Sequence, residues 1–124
     1  MKKLIMSALP KTWLIDIDGV VFEHNGHLKL SGDILNKNVK ELFLQISDED
    51  VVIFLTSRGI EYKEETICAL KKNCLKFDQI IFALPKGERV LVNDIKPDGL
   101  KTAIAINTKR NELNQILVIR DEGL

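Results

Sequence analysis

Asp16 and Asp18 stand two positions apart near the end of the apolar run WLIDIDGVV, residues 13–21. In a strand, residues i and i+2 project to the same side, so the two carboxylates emerge together where the strand ends and Gly19 lets the backbone turn. Like charges that close are unfavourable unless a cation or a proton lies between them. Such a pair suits a magnesium site. Two more polar clusters occupy similar positions. VVIFLTSRG, residues 51–59, is an apolar run that delivers Thr56, Ser57 and Arg58. PKGERVLVNDIKPDG, residues 85–99, sets Lys86 ahead of a short apolar stretch that ends in Asn93 and Asp94, with Asp98 four residues beyond.

The elements that must position these groups are short apolar runs alternating with helical patterns, which predicts an α/β chain with a parallel sheet. In open sheets of that class, ligands bind at the carboxyl ends of the strands, where all three clusters fall. Further strands are predicted at 80–83, 89–92 and 102–106. Residues 22–30 (FEHNGHLKL) carry Asn-Gly between residues of moderate strand tendency and predict a small hairpin. Ser31 or Asp33 can cap a helix whose apolar positions are Ile34, Leu35, Val39, Leu42, Phe43 and Ile46. A second helix is predicted over 61–73, acidic at its start and ending on Lys71 and Lys72, as the helix dipole favours. The tail, 111–118, reads as helical, with Leu113, Ile116 and Leu117 towards the sheet.

The ordered motifs resemble those of the haloacid dehalogenase-like hydrolases, over residues 13–106. The resemblance implies a three-layer α/β/α Rossmann-like domain formed by the whole chain, 1–124, without a cap domain, since no insertion is long enough to build one. It also implies a Mg²⁺-dependent phosphatase that runs through an aspartyl-phosphate. Asp16 would be the nucleophile and Asp18 the general acid/base. Thr56 would bond a phosphoryl oxygen, and Lys86 would balance its charge. Mg²⁺ would be held by Asp16, the backbone carbonyl of Asp18, Asp94 and waters. Gly19, Ser57 and Arg58 would lie against the substrate. The motif lysine is Lys86 or Lys96, and Asp98 is either the second member of the acidic pair or a turn residue before Gly99. Asn93 stands where the family often has Gly or Asp. The phrases LVNDIKPDGLKTAIAIN and KRNEL are similar to small phosphatase-like proteins of surface-polysaccharide synthesis, which implies a phosphorylated sugar or nucleotide-sugar precursor as substrate. A receiver domain, which has its acidic pair on the first strand and its phospho-accepting aspartate on the third, has the wrong motif order. A weakly catalytic binding or scaffold member of the same fold is the alternative, because an open site leaves room for a second copy or a partner subunit to complete it.

Composition narrows the partners. The 124 residues carry 18 basic and 18 acidic side chains, a formal net charge of zero. A neutral chain without a clustered basic run gives no electrostatic reason to expect nucleic acid or an anionic membrane. The apolar run at residues 4–6 is too short for a signal peptide, and charge breaks every other run well before the roughly 20 residues of a membrane span. A cytoplasmic protein is expected. Cys68 and Cys74 have no neighbours at metal-ligand spacing and read as reduced thiols partly in the core. His24 and His27 read as solvated or as substrate contacts rather than as metal ligands.

Overall fold

The computed structural model describes residues 1–124. It is a mixed α/β fold in which every strand pairing is parallel. Strands β1 (Lys2–Ser7) and β5 (Ile116–Asp121) form one two-stranded sheet; β2 (Thr12–Asp16), β3 (Val51–Leu55) and β4 (Gln79–Ile81) form another in that order. Helix α1 (Val39–Leu44) lies between β2 and β3 in the chain, and α2 (Lys63–Lys72) lies between β3 and β4.

The strands β2 and β3 form where the apolar runs predict them. Their register sets Asp16 opposite Leu55, so both strands end level and their polar clusters meet. Ile15, Ile17, Val52 and Phe54 enter one apolar core with Val39 and Leu42 of α1 and Leu70 of α2. Phe54 is fully buried, its ring 5.9 Å from that of Phe43 and 5.7 Å from that of Phe77. Burying each such side chain contributes about 1.5–3 kcal/mol. The second predicted helix is present as a 3₁₀ turn, Ile60–Tyr62, running into α2. Strand β4 falls within two residues of its expected place.

Five expectations are corrected. The hairpin does not turn at Asn-Gly: Asn25 takes a left-handed conformation and opens the 3₁₀ turn Gly26–Leu28. The antiparallel pairing instead joins Phe22 to Leu35, with the Glu23 amide donating to the Ile34 carbonyl. That pairing takes Ile34 and Leu35 out of the first helix, which begins only at Val39; Asp33, its expected cap, is bonded elsewhere. The tail is strand β5 rather than helix, because Ile116, Val118 and Ile119 find a parallel partner in β1. Finally, the apolar segments at 89–92 and 102–106 form no strands; residues 85–99 are exposed throughout. Strand propensity acts only where a partner edge is met. Both cysteines are free and exposed, not in the core. No helix is long and apolar enough to cross a membrane.

Two polar side chains join the pieces. Gln45, after α1, accepts the Val118 amide at 2.8 Å and donates to the Ile116 carbonyl at 2.6 Å, acting as a short strand edge for β5. Asp50, 4% exposed, accepts the Lys11 amide and the Trp13 indole N–H, both at 2.9 Å, and the Ser47 amide at 3.2 Å; Arg120 of β5 lies 3.7 Å away. Burial alone would raise the Asp50 pKa, but the hydrogen bonds and Arg120 together hold it below the ordinary value. A depressed folded-state pKa contributes stability that is complete above the unfolded-state value, about pH 4, and is lost as pH falls through the folded value. Asp50→Asn should therefore lower stability at neutral pH by about 1–3 kcal/mol. It should also flatten the loss of stability below about pH 4, read by urea denaturation across that range.

Candidate functional site

At the carboxyl ends of β2 and β3 lies an open cleft of about 670 Å³. Asp16, the last residue of β2, stands on its floor with 45% of its side chain exposed. Gly19 follows in a turn at φ +84, a conformation that side chains disfavour. Burial raises the Asp16 pKa above the ordinary carboxylate value; Arg89, 3.7 Å away, opposes the shift and the charge of Asp18 adds to it.

Asp18 also lines the cleft, but its carboxylate is engaged by neighbouring side chains. Its Oδ1 accepts Arg58 Nε at 3.1 Å and Nη2 at 3.0 Å, and its Oδ2 accepts the Thr56 hydroxyl at 3.0 Å. The same guanidinium donates from Nη1 and Nη2 to Asp33 at 2.9 and 2.7 Å, and from Nη1 to the Thr66 hydroxyl at 3.0 Å. Its side chain is 1% exposed and its carbon centre lies 5.9 Å from the Phe22 ring. Burial would weaken its charge, but Asp33 and Asp18 outweigh that and hold its pKa above the ordinary arginine value. Arg58 is thus a buried cation shared by two carboxylates from different loops, with no donor left aimed at a substrate. Thr56 is fully buried and spends its hydroxyl on Asp18 while accepting the Arg58 amide at 3.0 Å. Ser57, between them, does line the cleft.

Lys86 lines the cleft as well, so of the two candidate lysines it is the one brought to Asp16. Asp94 is not brought there: it lies in the exposed segment, its carbonyl accepting the Thr102 hydroxyl at 2.7 Å. Asp98 bonds the Leu100 amide at 3.1 Å, as a turn aspartate does. His24 lines the cleft. His27 is not solvated: its side chain is 7% exposed, meets the Tyr62 ring edge-to-face at 4.6 Å, and keeps an unbonded Nδ1 3.9 Å from Asp18 Oδ1. Burial, with Arg58 next, lowers its pKa.

As arranged, these residues do not fit the magnesium ion that the motif implies. Of the implied ligands, Asp16 and Asp18 line the cleft, but Asp94 lies outside it, and no group of three metal-ligating side chains converges. Without Asp94, one carboxylate, itself 3.7 Å from Arg89, and one backbone carbonyl are left of the protein ligands for the octahedron of oxygens that magnesium needs.

Arg110 completes the lining; it lies in the phrase KRNEL, residues 109–113, which carried part of the resemblance but gave this residue no role. Asn111, at φ +63, turns the chain between Lys109 and Glu112, donates its amide to the Gly19 carbonyl at 2.8 Å, and accepts the His24 amide on its side-chain oxygen at 2.7 Å. Asp33, which completes the buried network, was equally silent, being read only as a helix cap.

Comparison with known families, curated proteins and solved structures finds no match to the chain.

Removing Arg58 would leave Asp18 and Asp33 without their shared cation, a loss worth about 3–5 kcal/mol for a buried pair. Arg58→Ala should lower unfolding free energy by that amount in urea. Arg58→Lys should recover little of it, because one ammonium cannot replace the planar fork that serves both carboxylates.

Proposed function

We propose that the chain is a phosphate-monoester hydrolase in which Asp16 attacks phosphorus, with the three-layer fold of the haloacid dehalogenase-like phosphatases that its motifs resemble. One observation supports this above the others: Asp16 is a half-exposed carboxylate with Arg89 at 3.7 Å and with Lys86 and Arg110 in the same lining. The strand order β2, β3, β4, all parallel and with α2 in the second crossover, supports the fold assignment.

Phosphate esters hydrolyse slowly in water, so a catalyst must hold an attacking oxygen in line and offset charge on the phosphoryl oxygens. Two unit charges of like sign 4 Å apart repel by about 1 kcal/mol in water and about 4 kcal/mol near a protein surface. A dianionic ester beside Asp16 therefore binds only where cations offset that repulsion, which Lys86, Arg89 and Arg110 can do. An Asp16 oxygen bonds to phosphorus as the ester oxygen departs; water then attacks the aspartyl-phosphate, releasing phosphate and restoring the carboxylate. Asp18 would take the proton of that water from its bonded position. It can give one to the leaving alcohol only by exchanging a bond from Arg58 for a proton. No step runs through magnesium, whose requirement belongs to the proposal as something to be measured.

A phosphorylated sugar or nucleotide-sugar precursor, handled in the cytoplasm, is the substrate class that the resemblance suggests, and the polar cleft lining with one aromatic, Tyr62, is compatible with it. The open mouth leaves room for a second copy or partner. The commitment of Asp18 to Arg58 favours one other reading, a phosphate-binding member of the same fold with little turnover. Phosphate release from sugar phosphates and nucleotides, with Mg²⁺ and in excess chelator, separates the two. Asp16→Asn should cut turnover at least about a hundredfold, or about 2.7 kcal/mol of transition-state stabilisation, with the circular dichroism spectrum unchanged. A smaller loss contradicts the nucleophile assignment, and absence of turnover in the wild type with retained phosphate binding favours the binding protein.

A further inference from the structure

The mismatch between the cleft and the magnesium set is informative. Four cationic side chains, Arg58, Lys86, Arg89 and Arg110, line the cleft against two carboxylates, in a chain whose net charge is zero. Arg58 is consumed by Asp18 and Asp33. Three cations from the far half of the chain therefore share the cleft lining with one carboxylate not bonded inward, Asp16, and Arg89 is 3.7 Å from it.

We propose that Lys86, Arg89 and Arg110 form a dianion clamp that captures the phosphate group of the substrate without a divalent cation. The inference rests on the phosphate-ester reading and names what binds in that site.

Arg89 is held beside Asp16, and the backbone and stem of Arg110 are held at Gly19 in the lining of the same cleft. Arg89 Nη1 lies 3.4 Å from the carbonyls of Pro85 and Gly87, so its own loop holds the guanidinium, and Nη2 reaches to 3.7 Å from Asp16 Oδ1. Arg110 is fixed through its neighbour, because Asn111 is bonded both to the Gly19 carbonyl and to the His24 amide. The stem of Arg110 runs across Gly19: a Cβ built there would sit 3.4 Å from Arg110 Cγ. The positive φ of the turn after Asp18 is what requires the glycine, and the 3.4 Å approach sets the Arg110 stem against it in ordinary contact. Two guanidiniums approach from separate loops, and each presents a planar set of donors matched to phosphate oxygens. Lys86 adds a point charge from the same segment as Arg89. The phosphate replaces the long-range pairing of Arg89 with Asp16 by direct bonds, leaving the Asp16 oxygen beside the bound group.

The test is calorimetric titration of the full chain with inorganic phosphate in excess chelator, repeated with Mg²⁺. Saturable binding in chelator is expected, changing less than about threefold when magnesium is added. Arg89→Ala and Arg110→Ala should each weaken it at least about tenfold. Lys101→Ala, an exposed cation outside the cleft, should leave it unchanged, and rising salt should weaken wild-type binding. Absence of binding in chelator, whether or not magnesium restores it, overturns the clamp, as does wild-type affinity in Arg110→Ala. The residues are exposed, and circular dichroism of each variant separates lost binding from lost fold. The outcome is separate from the fate of Asp16 as nucleophile: the clamp stands if phosphate binds in chelator but no ester turns over, and falls if turnover occurs while phosphate binding needs magnesium.

Discussion

The arrangement around the cleft depends on one buried cation. Arg58, 1% exposed, binds Asp18 from the loop after β2 and Asp33 from the segment before α1, while its neighbour Thr56 bonds Asp18 from the end of β3. Three stretches distant in sequence are thereby held at one point. Buried ion pairs are weak as net stabilisers but costly to break by halves, so this network fixes geometry more than it adds stability. Its consequence for chemistry is a division of labour. Of the two aspartates that the strand delivers, one is bonded inward and the other, Asp16, is left facing solvent among cations.

The same division explains the rest of the fold. Asp33 serves Arg58 and cannot cap a helix, while residues 34–36 pair with 21–23, so α1 starts late at Val39 and is short. The short helix ends in Gln45, whose side chain ties β5 to the body of the protein. Asp50 closes the other side, linking the start of β2 to Arg120 of β5. Two small parallel sheets, neither large enough to stand alone, are joined by single polar side chains as well as by the shared apolar core.

Much of this was legible in residues 13–21 and 51–59, because an unbroken apolar run ending in polar residues has few structural readings other than a buried strand with a site at its end. Helix α2 was legible from its charge order. The partner of Arg58 was not legible, since nothing local distinguishes Asp33 from any other cap. The β1–β5 pairing was hidden for a similar reason: its two strands lie at opposite ends of the chain, and three of their seven apolar side chains, Ile5, Leu117 and Ile119, are exposed. The motif resemblance led to Asp94 and away from Arg110. The apolar stretch before Asp94 has strand propensity but meets no partner edge, whereas Arg110 owes its place to an asparagine turn within KRNEL, a phrase read for its likeness and not for the role of any one residue.

The account stands or falls on whether Asp16 becomes phosphorylated. Borohydride reduces an aspartyl-phosphate to homoserine, so the protein can be mixed with a turned-over ester, reduced during the steady state, cleaved with trypsin, and the peptide carrying Asp16 and Asp18 sequenced by fragmentation mass spectrometry. Homoserine at position 16, dependent on the ester and absent at position 18, is the result this account predicts. Turnover without homoserine, or homoserine at position 18, would contradict it.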